Sequence, residues 1–451
     1  MMSEPITANQ STNRGTPLAD GGWAAPNYKW YVVGMLWFIA FFNYADRVAL
    51  GVVMPRVRVE LGLDDFQVAL IGSAFAWIYG LGAPFAGLVI DRVRRKTAIL
   101  FGLVTWSVVC MLTATSRSWR QLFGFMAAEG LGETFYFPAS MSLVSDYHGK
   151  RTRSRAMSIH QTSVYGGTIL GSVFAGLIAD YLGWRYSFVI FGALGVVVAF
   201  ILMFFLREPH RGAADEIDAG VPVAPPIRLS VGETLRVIWQ TPTVLTLFAA
   251  FICANFVFVV VMVWLPTLLA ERLNLQSLAI VGLTATMYMQ IASVFGAPAS
   301  GWMADRLRQR TARGRMIVQA AGVLAAAPFI VVTGLSTSYI MVASALACWG
   351  FFKGVYDANI FASMYDVIRP EARGTAAGFM NAVGWIGGGG GPLVIAKIKT
   401  MFDVSLGTAL AMGAVAYVLA GCFLLIGIAF FVKRDAARMQ EAVKAAATGA
   451  H

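Results

Sequence analysis

Gly87-Leu88-Val89-Ile90-Asp91-Arg92-Val93-Arg94-Arg95-Lys96 and Gly301-Trp302-Met303-Ala304-Asp305-Arg306-Leu307-Arg308-Gln309-Arg310 carry one pattern twice, their leading glycines 214 residues apart. Each reads as a small residue at a helix end, an acid and an arginine at the turn, then a basic cluster. Each also follows two long apolar runs. Recurrence at matching depths of two halves marks a duplicated membrane bundle, and bundles of that kind are usually transporters.

Composition agrees. Hydrophobic residues make up 58% of the 451 and charged residues 13%, with a mean hydropathy of +0.67. A soluble domain has no use for so much apolar surface, whereas a bilayer asks for stretches of about 20 apolar residues. Twelve such stretches lie near 30–54, 68–90, 97–115, 121–145, 156–179, 187–206, 243–268, 279–304, 316–335, 339–364, 374–397 and 405–432. Their length is helical, so the expected fold is an all-α membrane protein of twelve transmembrane helices in two six-helix repeats.

The formal charge of +11 is explained by where it sits. Of 35 Lys and Arg, 25 fall in the termini and the loops after even-numbered helices. That bias places both termini in the cytoplasm and argues for topology rather than a nucleic-acid partner. The first 29 residues hold no basic-then-apolar leader, so the first helix is expected to direct insertion. Cys110, Cys253, Cys348 and Cys422 lie within apolar runs, with neither metal spacing nor a disulfide framework.

Residues 207–241 break the rhythm with Arg207-Glu208-Pro209, mixed charge and Val221-Pro222-Val223-Ala224-Pro225-Pro226. They read as a solvated linker with a short interfacial helix from Leu229 to Trp239. The expected organisation is a cytoplasmic tail 1–29, a six-helix bundle 30–206, a cytoplasmic linker 207–241, a second bundle 242–432 and a cytoplasmic tail 433–451. Asp146 followed by Arg155 matches Asp366 followed by Arg373, at offsets of 220 and 218. An offset of 220 carries Glu133 onto Lys353, placing an acid and a base at related positions across a central cavity.

Ionisable groups at membrane depth cost several kcal/mol unless paired or hydrated, so each is a functional candidate. Helix 1 holds Asn43-Tyr44-Ala45-Asp46-Arg47, helix 4 holds Glu129 and Glu133, and helix 10 holds Lys353 and Asp357. The last two pairs are four apart and share a face. Lys353 and Asp357 either neutralise one another or face substrate. Glu133 lies in Gly130-Leu131-Gly132-Glu133-Thr134-Phe135-Tyr136-Phe137-Pro138, an apolar segment that Pro138 weakens. It is placed to carry a proton, unless it is permanently paired with Arg47.

The doubled loop pattern resembles the signature of the major facilitator superfamily. Asn43 to Arg47, Ser73-Ala74-Phe75-Ala76-Trp77-Ile78-Tyr79 and Gly130 to Pro138 resemble the anion:cation symporter family within it. That resemblance implies transport of an organic anion such as a sugar acid or aromatic acid, with Arg47 as the anion-binding arginine and Glu133 as the proton-linked glutamate. The family usually has an arginine seven residues before that glutamate, where this chain has Met126, and Arg94 stands where the loop signature has glycine. The helix-1 Asp-Arg and helix-4 Gly-x-Gly-Glu are also similar to spinster-like lipid transporters. The Gly-Pro pair that goes with antiport in this superfamily is absent from helix 5, which leans to symport.

Substrate-contact candidates are Arg47, Lys353, Tyr79, Tyr136, Tyr165, Asn381 and Trp385; proton-coupling candidates are Glu133, Asp46, Glu129, Asp357 and His160. Asp91, Arg92, Asp305 and Arg306 are the gating-loop residues. The run Gly387 to Gly391 before Pro392 reads as close packing in a bendable helix 11, with Gly80, Gly82 and Pro84 as the opposing surface. It lacks the Lys-Ser/Thr ending of a phosphate loop.

The function expected is secondary active transport of an organic anion by alternating access, coupled to protons. The alternative is export of an amphipathic lipid or drug. No nucleophile-base pair, metal cluster or nucleotide motif points to an enzyme, a metal or a cofactor, and the proton gradient is the expected energy source. The partners are substrate, protons and the bilayer, for a monomer in a bacterial inner membrane. The topology is testable: cysteines placed at Arg94 and Arg310 are expected to react with impermeant thiol reagents only from the cytoplasmic side, and labelling from outside alone overturns it.

Overall fold

The computed structural model describes residues 27–90, 92–149, 152–209, 214 and 230–448. The first 26 residues, Asp91, Lys150, Arg151 and most of the expected linker lie outside them. Among the described residues the regular elements are helical. The first half comprises α1 (Tyr28–Leu61), α2 (Asp65–Ile90), α3 (Arg95–Thr113), α4 (Trp119–Glu133), α5 (Tyr136–Tyr147), α6 (Arg153–Leu182) and α7 (Trp184–Phe205). After α8 (Val231–Trp239), the second half comprises α9 (Pro242–Arg272), α10 (Leu278–Arg308), α11 (Gly314–Leu335), α12 (Tyr339–Asp357) and α13 (Ile360–Tyr365). It continues with α14 (Arg373–Gly389), α15 (Gly391–Met401), α16 (Leu406–Met412), α17 (Val415–Ile426) and α18 (Val432–Thr448).

Ten segments among the described residues are long and apolar enough to span a membrane. The other two of the expected twelve are broken helices. α4 and α5 are separated at Thr134-Phe135, where Pro138 has no N–H for the Thr134 carbonyl. α14 and α15 are separated at Gly390, with Pro392 just beyond. Each pair still crosses. Asp146 at the end of α5 is ion-paired with Arg95 at the start of α3, while Ser116, just before α4, accepts from Arg185 at the start of α7.

The helices alternate between two faces. One carries the described ends of the chain and is called here the terminal face. Its ion pairs repeat at one offset: Arg95 with Asp146 in the first half, and Arg315 Nη1 with Asp366 Oδ1 at 3.0 Å in the second, each residue 220 after its counterpart. Arg153 donates to the Ser145 carbonyl at 3.2 Å and Arg373 to the Tyr365 carbonyl at 2.8 Å, again 220 apart. The counterpart of Arg373 is therefore Arg153, not the Arg155 suggested by sequence.

At the opposite face the halves meet. Asp180, at the end of α6, binds Arg56 at 2.6 Å. It also accepts from the Ser277 hydroxyl at 2.8 Å and from the Leu278 and Ala279 N–H groups at 3.1 and 3.2 Å. Lys399 reaches Asp65 at 2.5 Å, Asp65 takes Arg58 at 2.7 Å, and Arg58 approaches Glu271 at 3.5 Å. Close backbone approach supports this seam, as at Gly282, where a Cβ would come within 2.6 Å of the Ser172 carbonyl oxygen.

Of the glycine run, Gly387, Gly388 and Gly391 pack on Ile252, Asn255 and Phe256 of α9, within their own half, and only Gly389 meets Trp77 of α2. Gly80 faces Ala382 and Ile386 across the seam, whereas Gly82 packs on Thr134 of its own half. Asp180→Ala removes three contacts across the seam. On a background with the native cysteines replaced, Thr286→Cys is then expected to react faster with an impermeant thiol reagent from the sealed side; an unchanged rate means that the Lys399–Asp65–Arg58 network suffices alone.

Candidate functional site

A cavity of about 520 Å³ lies between the halves, lined from α1, α2, α4, α6, α9, α10, α12, α13 and α14. Arg47 projects into it from α1. Its side chain is only 6% exposed, and Glu133 of α4, fully buried, pairs with it through Nε at 3.0 Å and also through Nη2. Asn43, one turn earlier, accepts from Arg47 Nη2 at 3.4 Å. An unpaired guanidinium could not be held at this depth, so the acid on α4 is a condition for the arginine on α1.

Aromatic rings enclose the cation. The guanidinium carbon lies 4.6 Å from the Tyr44 ring centroid, 4.7 Å from Phe75, 5.1 Å from Tyr79 and 5.6 Å from Trp385. Phe75 and Tyr79 stack at 5.6 Å, and Trp385 meets the Tyr79 edge at 5.4 Å. The negative ring faces attract the cation, and Trp385 brings a residue of the second half to the arginine of the first. The approach of α4 rests on Gly130, where a Cβ would stand 2.8 Å from the Phe75 carbonyl oxygen.

Behind this pair is a second set of acids. Asp46 and Glu129 are 5% and 2% exposed. With Cys110 they form a group whose ligand atoms all lie within 4.8 Å of one another. Asp46 accepts from the Arg47 N–H at 2.8 Å, while Glu129 Oε1 and Glu133 Oε1 have no hydrogen-bond partner. The cluster was invisible in sequence because Cys110 comes from α3. Two carboxylates and a buried thiol give three ligand atoms, and among the described residues no further His, Cys, Asp or Glu joins them.

Across the cavity Lys353 and Asp357 of α12 pair with each other, and the ammonium sits 5.0 Å from the Phe258 ring centroid. Of the two readings open for this pair, mutual neutralisation is what the geometry shows, although both residues line the cavity. Each cavity-facing cation thus carries an acid from its own half.

The remaining candidates divide. Arg47, Glu129, Tyr165, Lys353, Asp357 and Trp385 line the cavity, and Tyr79 stands one ring behind. Tyr136 does not: it donates to the Leu36 carbonyl at 2.6 Å and meets His160 Nε2 at 3.0 Å, a buried chain joining α1, α5 and α6. His160 therefore belongs to packing geometry rather than the cavity wall. Asn381 is not among the lining residues, one turn away from Trp385. Asp305 binds Arg315 at 3.1 Å, Arg306 lies over Trp302, Arg92 is exposed and Asp91 is outside the described residues. Sequence reading passed over Phe75, Tyr44 and Gln161; Tyr44 is three residues before Arg47, which is a same-face spacing.

The Major Facilitator Superfamily model matches residues 36–392. The chain belongs to the Major Facilitator Superfamily. It is a multi-pass membrane transporter and not an enzyme. The transporter is 24% identical over 400 residues to the probable galactarate/D-glucarate transporter GudP of Escherichia coli (strain K12), spanning 82% of this chain and 87% of that protein. It is 25% identical over 397 residues to the hexuronate transporter of Bacillus subtilis (strain 168), spanning 85% and 91%. Among solved structures it resembles a bacterial homolog of the human lysosomal transporter spinster in an inward-facing, unoccupied conformation. The TM-score is 0.74 at 21% identity, over 91% of this chain and 98% of that one. This last likeness is one of fold.

Breaking a buried ion pair costs about 3–5 kcal/mol because the partner is left charged and dry. Arg47→Ala is therefore expected to lower the thermal transition of the purified protein, and adding Glu133→Gln to recover part of the loss. A double variant no more stable than Arg47→Ala would show that the pair is not what holds α1 to α4.

Proposed function

We propose that the protein is a proton-coupled symporter of an organic anion, working by alternating access in a bacterial inner membrane with both termini in the cytoplasm. The observation that carries this reading is the buried Arg47–Glu133 pair, whose arginine lines a cavity between the halves. The named sugar-acid and hexuronate relatives support an anionic substrate.

Coupling follows from competition. Arg47 offers a planar fork that suits one carboxylate at a time. While Glu133 is ionised it occupies that fork. A proton on Glu133 releases the guanidinium, and the substrate carboxylate takes its place. Loss of the proton returns Glu133 to Arg47 and expels the anion. Arg47 and Lys353 stand against Asp46, Glu129, Glu133 and Asp357. An anion entering so acidic a site needs protons with it, and Asp46 and Glu129, buried beside each other, supply further places for one.

Export of an amphipathic lipid or drug is the second reading, favoured by Met126 and the aliphatic residues that line the cavity. The pair-based mechanism is tested with Glu133→Gln, which keeps the shape and fixes the uncharged state. In proteoliposomes it is expected to bind substrate and exchange it across the membrane, yet to lose accumulation driven by a pH gradient. Normal accumulation with normal pH dependence would move the proton site to Glu129, Asp46 or Asp357.

A further inference from the structure

The short helix α8, which leads into the first span of the second half, is sorted into three faces. Thr234 and Ile238 are buried, and the helix packs on α9 and α14. Val231, Leu235 and Trp239, each four residues after the last, form a stripe that stays exposed, Trp239 by 72%. Glu233, Arg236 and Gln240 lie beside that stripe and line a groove of about 410 Å³ at the terminal face. An uncovered apolar stripe next to a polar one is the pattern of a helix lying in a membrane interface, where a tryptophan keeps its body in lipid and its edge wet.

The groove is completed by Arg369, between α13 and α14, and by Asp435, Arg438 and Met439 of α18. Its two acids are already engaged as helix caps. Glu233 accepts from the Ser230 N–H at 2.8 Å and from the Ser230 hydroxyl at 2.7 Å. Asp435 accepts from the Thr243 N–H at 3.0 Å and the Thr243 hydroxyl at 2.7 Å, which fastens α18 to the start of α9, and its other oxygen takes Arg434 at 3.3 Å. The guanidinium groups of Arg236, Arg369 and Arg438 have neither a hydrogen bond nor an ion pair among the described residues. Three such cations bordering one groove suit an anion with several oxygens, because each guanidinium offers a planar fork of donors.

We infer that this groove holds the headgroup of an anionic phospholipid from the leaflet at the terminal face. Its phosphate lies on Arg236, Arg369 and Arg438, and its chains pass beside Val231, Leu235 and Trp239. The charge alone would suit a free phosphate equally well, but the exposed apolar stripe gives a soluble ion nothing, whereas it gives lipid chains a surface to cover. The lipid ties together α8, the turn before α14 and α18, three pieces that surround the point where α9 enters the bilayer. It thereby fixes how the second half is joined to the segment that links it to the first.

The test is titration of the purified full chain in detergent, followed through its thermal transition, with dioleoylphosphatidylglycerol, dioleoylphosphatidylcholine or glycerol phosphate. The anionic lipid is expected to raise the transition and saturate, while the other two do not at the same concentrations. Arg236→Gln combined with Arg369→Gln is expected to weaken the anionic lipid about twentyfold, at roughly fivefold per arginine near an anionic headgroup. Arg94→Gln combined with Arg310→Gln removes two exposed charges from the same face and is expected to leave the affinity within about twofold. An equal effect of phosphatidylcholine overturns the inference, since the arginines would then read nothing. Saturation by glycerol phosphate as readily as by the lipid makes the groove a site for soluble phosphate and overturns it too. An equal loss in both paired variants assigns the effect to the net charge of +11 rather than to the groove. Where the first pair does not fold, Arg438→Gln alone is read in the same way, with a loss of about fivefold expected.

Discussion

A guanidinium held at membrane depth is the constraint around which the first half is arranged. Arg47 needs an acid, and Glu133 reaches it because α4 approaches α2 at Gly130. The rings of Tyr44, Phe75 and Tyr79 then replace water on the faces that the carboxylate leaves uncovered. Trp385 completes the enclosure from the second half. One ion pair therefore fixes the spacing of α1, α2 and α4 and gives α14 something to close upon. The cost of burying two charges is offset only where geometry and surrounding polarisable groups are this complete.

The duplication is most faithful where the chain leaves the bilayer and least faithful at its centre. Arg95–Asp146 and Arg315–Asp366 recur at a single offset, as do the Arg153 and Arg373 contacts to preceding carbonyls. At the same offset in the middle, Glu133 faces a cation from another helix, whereas Lys353 faces an acid from its own. The clamps at the terminal face serve folding and topology, and both copies need them. The central positions surround one cavity shared by both halves, which gives no reason for the two halves to stay alike there.

The sequence made the bundle legible because apolar length and basic loops are one-dimensional signals. Two of the interrupted helices were also foreshadowed, by Pro138 and by the glycine run before Pro392. What it could not show was direction around a helix axis between distant elements. Tyr136 read as a substrate contact and His160 as a proton-coupling group, yet they meet each other away from the cavity wall. Asn381 and Trp385 share a face, but only Trp385 lines the cavity. Cys110 joins Asp46 and Glu129 from a third helix, a convergence no spacing encodes. Arg153 was passed over for Arg155 because both follow Asp146 closely, and only the carbonyl contact separates them.

The distribution of charge also decides where resistance to opening resides. Arg47 with Glu133, and Lys353 with Asp357, are each neutralised within one half. Separating the halves at the cavity therefore pulls no ion pair apart in the dry centre, where the cost would be greatest. The contacts that must break are at the sealed rim: Asp180 with Ser277 and the start of α10, Lys399 with Asp65, and Arg58 with Glu271. Arg58, Lys399 and Glu271 are 25%, 29% and 56% exposed, so water can replace what they lose. Pairs of that kind contribute little each, about 0–1 kcal/mol at a surface. Under the alternating access proposed above, a rim of several weak, hydratable contacts would close specifically and open without a large barrier, whereas one strong buried bridge between the halves would hold the cavity in a single state.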